Sequence, residues 1–295
     1  EVPRHLIILG GGYSGIEFAQ AWRRFGAEVT VLERGKRILK NEDGDVVEAL
    51  AELLKTEGVR FHVDTHVTNV SGTSGQSVTL RDTEAGEPFS IEASHILIAG
   101  GRTPNTEECG LEEAGVQLTP KGHIQVDEYL QTNVTNIFAV GDCANSPHFT
   151  HMGFDDFRIV RDFLAKANPL RSTANRQVPY TLYTSPELAH VGFSESAAQL
   201  AGIKYRLAKA PMAAFLRTRT MDATQGFAKA LVSAEDDTIL GFTALGPSAG
   251  ELLPVVQLAM SEKLPYTKLS GLIVTHPTMS EGLVSLFGGV PPPRT

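Results

Sequence analysis

Cysteine is scarce in this chain. Its 295 residues include only Cys109 and Cys143, 34 positions apart and flanked by no metal-ligand pattern. A disulfide framework is excluded, and a reducing, cytoplasmic compartment is the default expectation. Long apolar runs are missing too: none reaches the ~18–20 residues that span a bilayer, and no charged start followed by an apolar core marks a signal peptide. Basic blocks are absent. The densest basic run, "ERGKR" at 33–37, contains its own glutamate, and the formal net charge is −8. This argues against nucleic acid or an anionic membrane as a partner. There is no internal repeat and no low-complexity tract. The first residue is Glu1 and not methionine, so the chain is expected to begin inside a longer gene product, while "GGVPPPRT" at the other end reads as a loose tail.

What remains is ordinary globular composition, 42% hydrophobic and 20% charged, with enough length to bury a large core and to form more than one domain. "HLIILGGG" at 5–12 is a continuous apolar run ending in glycines, which suits a parallel strand buried on both faces. "YSGIEFAQAWRRFG" follows at helical spacing and stops at Gly26. "AEVTVLE" is a second strand, and "DGDVVEALAELLKTEG" is a second amphipathic helix ending at Gly58. "VRFHVDTHVTNVSG", "SVTLRDTE" and "FSIEASHILIAGG" read as strands with glycine-containing turns between them, closing a doubly wound unit near Gly101. A short strand-rich stretch, "HIQVDEYLQTNVTNIFAVGD", and a helix, "DDFRIVRDFLAKA", come next, then a polar, proline-punctuated linker, "NPLRSTANRQ". From Val178 the character changes. "YTLY", "AHVGF", "KYRLAKAP", "GFAKALVS" and "TILGFTALG" are strands between turns, and helices follow at about 249–262 and 279–287. The expected fold class is α/β: a doubly wound nucleotide-binding domain at 1–115, a further segment at 116–172, and a C-terminal α+β domain with an antiparallel sheet at 176–295.

Three sites carry chemistry. "GGGYSG", residues 10–15, fits G-x-G-x-x-G where a buried strand gives way to a helix, the context that turns a weak pattern into a dinucleotide signal. Its glycines allow a tight turn and close approach to a pyrophosphate, and the helix N-terminus adds amides and a favourable dipole. Glu33 closes the second strand where an acidic residue should meet a ribose 2′-hydroxyl, which favours NAD(H). Arg34, Lys36, Arg37 and Lys40 follow at once, and as holders of a 2′-phosphate they keep NADP(H) open. Second, "TNIFAVGDCAN" reads as a buried strand ending in Gly141-Asp142, where a carboxylate is placed either to bond ligand hydroxyls or to cap the next segment. Third, "THPTMSEG" sets His276 and Glu281 five residues apart, an oriented acid–base pair or a helix-start histidine packed at an interface.

Taken in order, "ILGGGYSGIEFA", "LIAGGRTPNT", "TNIFAVGDCAN" and "HPTMSE" resemble the motifs of the flavin-dependent pyridine nucleotide–disulfide oxidoreductases, such as glutathione reductase, lipoamide dehydrogenase and mercuric reductase. The resemblance covers nearly the whole chain, and "FTHMGFDDFRIVRDFL" is similar to the mercuric-reductase-like and reactive-chlorine-response bacterial enzymes. It implies that Gly10, Gly12, Ser14 and Gly15 bind the nicotinamide nucleotide, with Glu33 and Arg34 at its adenosine end and Gly101 at the junction that follows. It implies that Gly141 and Asp142 bind FAD. Tyr13 matches an aromatic gate over the flavin, and Glu17 a carboxylate paired with a lysine beside it. Phe149 and Thr150 would place a helix N-terminus at the flavin's pyrimidine edge. The resemblance makes the 116–172 segment part of an FAD domain and residues 176–295 a dimerisation domain. In this family a glycine motif for FAD and a C-x-x-x-x-C disulfide precede the first motif found here. Neither is in this chain, so His276 is expected to act on thiols encoded upstream, across a homodimer. Mercuric enzymes typically carry tyrosine at this position and a C-terminal cysteine pair. This chain has His276 and no such pair, so a disulfide or another electron acceptor is expected rather than mercuric ion. A non-catalytic NAD(H)-binding and dimerisation module, and a flavin reductase without the disulfide, are the alternatives.

Overall fold

The computed structural model describes residues 1–84 and 87–293. The turn expected at Gly86 and the last tail residues, Arg294 and Thr295, lie outside the described residues. The chain forms two compact units, Glu1–Gly101 with Thr181–Thr295, and Arg102–Tyr180. The boundaries expected at 115 and 172 therefore both fall inside the second unit.

The first unit begins as the sequence reads. Strand β1 (His5–Leu9), helix α1 (Tyr13–Arg24), β2 (Glu28–Leu32), α2 (Gly44–Thr56) and β3 (Val59–His62) are joined by turns at Gly26 and Gly58, both at positive φ. A meander of β4 (Thr65–Thr73), β5 (Ser77–Glu84) and β6 (Glu87–Ala93) leads to β7 (His95–Ile98). The parallel sheet has the order β3-β2-β1-β7. Its central strand is apolar on both faces, with Ile7 and Ile8 fully buried. The register pairs Leu9 with Leu32 on one side and with Ile98 on the other. Gly10, Glu33 and Ala99 consequently emerge level, at the carboxyl ends of the strands and beside the point where strand order reverses.

The rest of the unit is a five-stranded sheet of order β10-β11-β12-β9-β8: β8 (Tyr180–Leu182), β9 (Glu187–Gly192), β10 (Tyr205–Pro211), β11 (Phe227–Ser233) and β12 (Ile239–Gly246), with antiparallel pairing from β10 through β9. Helices α4 (Glu195–Leu200), α5 (Leu216–Thr220), α6 (Leu253–Ser261), α7 (Thr267–Ser270) and α8 (Glu281–Gly288) complete it, α3 (Thr150–Leu164) belonging to the second unit. Phe215, Phe242 and Phe287 are fully buried in its core. A second core takes Ile16, Val31 and Leu50 from the nucleotide-binding half and Leu188 and Leu245 from the antiparallel sheet. The expected loose tail is partly tied down: Val290 packs on the core, and Arg206 Nη1 donates to Pro291 O at 3.1 Å.

The strand-rich reading of 123–142 does not hold. Among the described residues this stretch contributes only isolated bridges, Leu118 with Ile124 and Gln131 with Phe138, and Val140 is 41% exposed. An extended apolar run becomes a buried strand only when a neighbour pairs with it, and this unit supplies none. The helix expected to begin at Asp155 instead starts at Thr150.

Candidate functional site: a glycine turn, an aspartate on a 3₁₀ turn and a histidine–glutamate pair

The Gly10–Gly15 turn opens onto a crevice of about 610 Å³ lined by Gly12, Glu33, Arg34, Lys40, His66 and Gly101, among others. Its glycines have different jobs. Gly10 sits at φ 111°, and a Cβ there would lie 2.5 Å from Ala99 O. A Cβ on Gly15 would lie 1.9 Å from Gly10 O, so this glycine lets α1 press against the strand end. Gly12 meets nothing within 4 Å. The protein's own packing does not need glycine there, and the open space suits a ligand that approaches the backbone. The first intrahelical bond of α1 runs from Ile16 N to Gly12 O at 3.0 Å. The earlier amides of the turn have no acceptor within the helix, as an anion-binding helix start requires. Ser14 is exposed in that first turn.

Glu33 does more than mark the end of β2. Gly11 N donates to its Oε2 and Gly35 N to its Oε1, each at 2.7 Å, and Leu39 N donates back to Gly11 O at 2.9 Å. The carboxylate thus staples the glycine turn to the following loop while it lines the crevice. Arg34 and Lys40 are exposed along the same wall. Tyr13 does not line the crevice. Its ring packs on the core and its hydroxyl donates to Glu42 Oε1 at 2.7 Å. Glu17 accepts the Tyr183 amide on Oε1 at 2.7 Å.

In the second unit, Gly141 has φ 71° and begins a short 3₁₀ turn that carries Asp142. Asp142 is 43% exposed and lies 3.3 Å from Arg102 Nη2. The turn is held from beneath by Asp156, which is completely buried. Asp156 Oδ2 accepts Gly141 N at 2.7 Å and the Ser146 hydroxyl at 2.6 Å, and Arg176 Nη1 donates to Oδ1 at 2.6 Å. Sequence reasoning passed over Asp156 and Arg176 as parts of a helix and a linker. Phe149 precedes α3 and stacks at 5.5 Å on both Tyr180 and His151, and exposed Thr150 is the first residue of that helix.

The structure brings His276 and Glu281 together. Nδ1 lies 3.0 and 3.1 Å from the two carboxylate oxygens, and the imidazole is 63% exposed. Glu281 opens α8. Its amide donates to the Thr278 hydroxyl oxygen at 3.2 Å, and that hydroxyl donates to Thr275 O at 2.8 Å. The next residue, Gly282, packs so closely that a Cβ would lie 1.8 Å from Phe215 Cδ1. A ring fixed through Nδ1 and exposed elsewhere can exchange a proton through Nε2.

One buried charge cluster escaped the sequence reading. Lys229, fully buried on β11, donates to Asp43, Asp45 and Glu195, each at 2.8 Å. Asp43 also accepts the amides of Glu195 and Ser196 and the Ser196 hydroxyl. Burial by itself would push the Asp43 carboxyl up, yet the Lys229 ammonium and the Ser196 donors hold it far below the usual range. Burial would likewise lower Lys229, and its carboxylate partners instead raise it well above an ordinary lysine. The three acids have metal-ligand spacing, but the ammonium occupies the position of a cation among them. The available signal was a lone lysine in the otherwise apolar "FAKALVS".

Residues 1–156 match the family model described as pyridine nucleotide-disulphide oxidoreductase, and residues 178–287 match the model of that family's dimerisation domain. The chain is 37% identical over 287 residues to a probable pyridine nucleotide-disulfide oxidoreductase, RclA, of Escherichia coli, covering 97% of this chain and 64% of that protein. It is 33% identical over 285 residues to the mitochondrial dihydrolipoyl dehydrogenase of Pisum sativum, covering 96% of this chain and 56% of that protein. Among solved structures, the HOCl-induced flavoprotein disulfide reductase RclA from Escherichia coli superposes with a TM-score of 0.91 at 38% identity, over 98% of this chain and 65% of that one. LpdA from Mycobacterium tuberculosis gives 0.90 at 27% identity, over 98% and 62%. The chain thus spans less than two thirds of the length of these relatives. With one family model over its first half, the companion model over most of the remainder and sequence identity along nearly its whole length, the chain belongs to the pyridine nucleotide-disulphide oxidoreductase family.

Proposed function

We propose that this chain is the nucleotide-binding and dimerising part of an FAD-dependent NAD(P)H:disulfide oxidoreductase, which passes electrons through a flavin and a dithiol to a disulfide, a metal ion or another acceptor. Gly10, Gly12, Ser14 and Gly15 would cradle the pyrophosphate, with Gly101 at the crevice edge and Glu33 at the ribose hydroxyls, favouring NAD(H) over NADP(H). Gly141 and Asp142 would hold FAD, and Phe149 and Thr150 would present the start of α3 to it. Tyr13 would serve as the aromatic gate over the flavin, and Glu17 would pair with a lysine beside it. When bound, the nicotinamide supplies a hydride and the flavin carries the electron pair onward. The relatives' names support the acceptor class: one is a flavoprotein disulfide reductase, and the same protein has a structure described as its Cu(II) complex. A cytoplasmic location fits the two free cysteines.

The observation that carries this reading is the His276–Glu281 pair. Glu281 holds the ring and would stabilise the imidazolium, while exposed Nε2 would take a proton from an attacking thiol or return one to a leaving thiolate. In the protein loaded with FAD and carrying its dithiol, His276→Ala is expected to slow turnover by about 10²–10⁴-fold. Flavin reduction by NADH, followed by stopped-flow absorbance, should keep its rate, because that step needs no proton from His276. Loss of flavin reduction would remove the histidine from this role.

A further inference from the structure

The antiparallel sheet has two unlike faces. Directly paired residues share a face, and successive residues alternate. Ala230, Phe242 and Val191 stand level across β11, β12 and β9 and enter the apolar core shared with α6 and α8. The next row, Lys209, Lys229, Thr243 and His190, lies on the opposite face. That face meets the nucleotide-binding half, where Leu245 and Leu188 pack in one core with Val31 and Leu50. An apolar row there would pack without desolvating charge, so stability alone does not call for a fully buried Lys229.

What Lys229 supplies is a fixed place for Asp43. That carboxylate accepts Lys229 Nζ at 2.8 Å, the amides of Glu195 and Ser196 at 2.9 and 3.0 Å, and the Ser196 hydroxyl. Asp43 ends the loop that begins at Glu33 and lines the crevice with Arg34, Arg37 and Lys40. The loop is tied to the glycine turn as well. Glu33 accepts the Gly11 and Gly35 amides, and Ile38 covers Gly11 so closely that a Cβ there would lie 2.7 Å from its Cγ2. Between these ties Leu39 adopts φ 45°, a backbone that a leucine rarely takes. It is held there because its amide donates to Gly11 O and its carbonyl accepts Glu42 N, each at 2.9 Å.

From this arrangement we infer that Lys229 is a positioning residue that sets nucleotide selectivity from the antiparallel sheet. Through Asp43 it keeps the 34–42 loop in register with the glycine turn. Glu33 and the cations Arg34, Arg37 and Lys40 then hold set places around the ribose 2′ position. The inference rests on reading the crevice as a nicotinamide nucleotide site. Without the tie the loop relaxes, the cations reach either form of the ribose, and discrimination between a 2′-hydroxyl and a 2′-phosphate falls.

The test titrates NADH and NADPH by fluorescence against the unmodified chain, Lys229→Met, Ser196→Ala and Phe242→Ala. A ratio of two affinities does not depend on how much of the protein is folded, so a merely structural role leaves it unmoved. The preference for NADH is expected to fall about threefold or more in Lys229→Met. Phe242→Ala, which empties the opposite face of the same sheet, should lower the urea midpoint and keep the ratio. An unchanged ratio in Lys229→Met, or an equal fall in Phe242→Ala, would reduce the cluster to a structural tie and overturn the inference. Should Lys229→Met not fold, Ser196→Ala decides, because it removes only one exposed hydroxyl from Asp43. Its ratio is expected to fall about twofold, and an unchanged one overturns the inference. Failure of the unmodified chain to bind either nucleotide would instead overturn the nucleotide-site reading beneath it.

Discussion

Glu33 shows how one side chain serves two ends. Its oxygens accept the amides of Gly11 and Gly35 at 2.7 Å each, so it shapes the turn before any ligand arrives. Each oxygen keeps a further lone pair for a ribose hydroxyl. Glu33→Ala should therefore cost more than one ligand contact. A hydrogen bond to a charged group contributes about 1.5–3 kcal/mol, so NADH affinity is expected to fall roughly tenfold or more. NADPH should lose less, since Arg34 and Lys40 stay on the same wall and the repelling carboxylate is gone. Fluorescence titration with both nucleotides checks this, and an unchanged ratio would mean that the cations, not Glu33, set the preference.

At the scale of elements, the start of α8 and the Lys229 cluster decide the arrangement. In a helix Gly→Ala usually gains about 1 kcal/mol. At Gly282 the added Cβ would lie 1.8 Å from the fully buried Phe215 ring, and overpacking of this kind costs about 1–3 kcal/mol. The clash should win, so Gly282→Ala is expected to lower the urea midpoint, and adding Phe215→Leu should restore part of the loss. A gain in stability from Gly282→Ala alone would show that α8 has room to move. The Lys229 cluster ties the loop before α2 to β11 and α4. Asp43 has a depressed folded pKa, so its contribution is present above the ordinary aspartate value near 3.9 and is lost as pH falls through the lower folded value. Lys229 has a raised folded pKa, so its share is complete below the ordinary lysine value near 10.4 and is lost only as pH climbs through the folded one. The cluster should stabilise the fold across roughly pH 4–10. Lys229→Met takes the ammonium from three carboxylates, of which Asp45 keeps Lys209 at 2.6 Å, and should cost about 3–5 kcal/mol at pH 7. The loss should shrink as pH falls below about 4, because protonated acids no longer need the ammonium. Thermal melts of both proteins from pH 3 to 8 measure this, and a pH-independent loss would exclude the electrostatic account.

For the molecule as a whole, the match of residues 178–287 to a dimerisation domain leads to a prediction about association. Leu272 and Ile273, just before the His276 segment, are exposed at 45% and 103%, and Leu258 on α6 at 63%, large apolar side chains of the kind that an obligate interface covers. We expect an isologous homodimer with an interface over roughly 2,000 Å². Sedimentation at micromolar concentration should give a dimer. Ile273→Asp, which replaces one of these side chains by a charge, should raise the dissociation constant roughly 30-fold or more. A monomer from the unmodified chain would refute the prediction.

The elements of the first unit were legible because they rest on local rules. Continuous apolar runs made β1 and β2, glycine stops ended α1 and α2, and turn residues punctuated the antiparallel sheet at nearly the right places. The His276–Glu281 pairing was legible for the same reason, since both residues belong to one short segment. The run "TNIFAV" misled because strand formation depends on a neighbour, which no stretch of sequence can report about itself. The Lys229 cluster joins positions up to 186 residues apart, Asp156 and Arg176 meet from a helix and a linker, and Glu42 reaches Tyr13 across 29. By itself the sequence determined the family, the period of each element and the local motifs. Which buried charges found partners was decided by tertiary structure alone, because burial makes an unpaired charge too costly and only the packed fold determines which distant residues can pair with it.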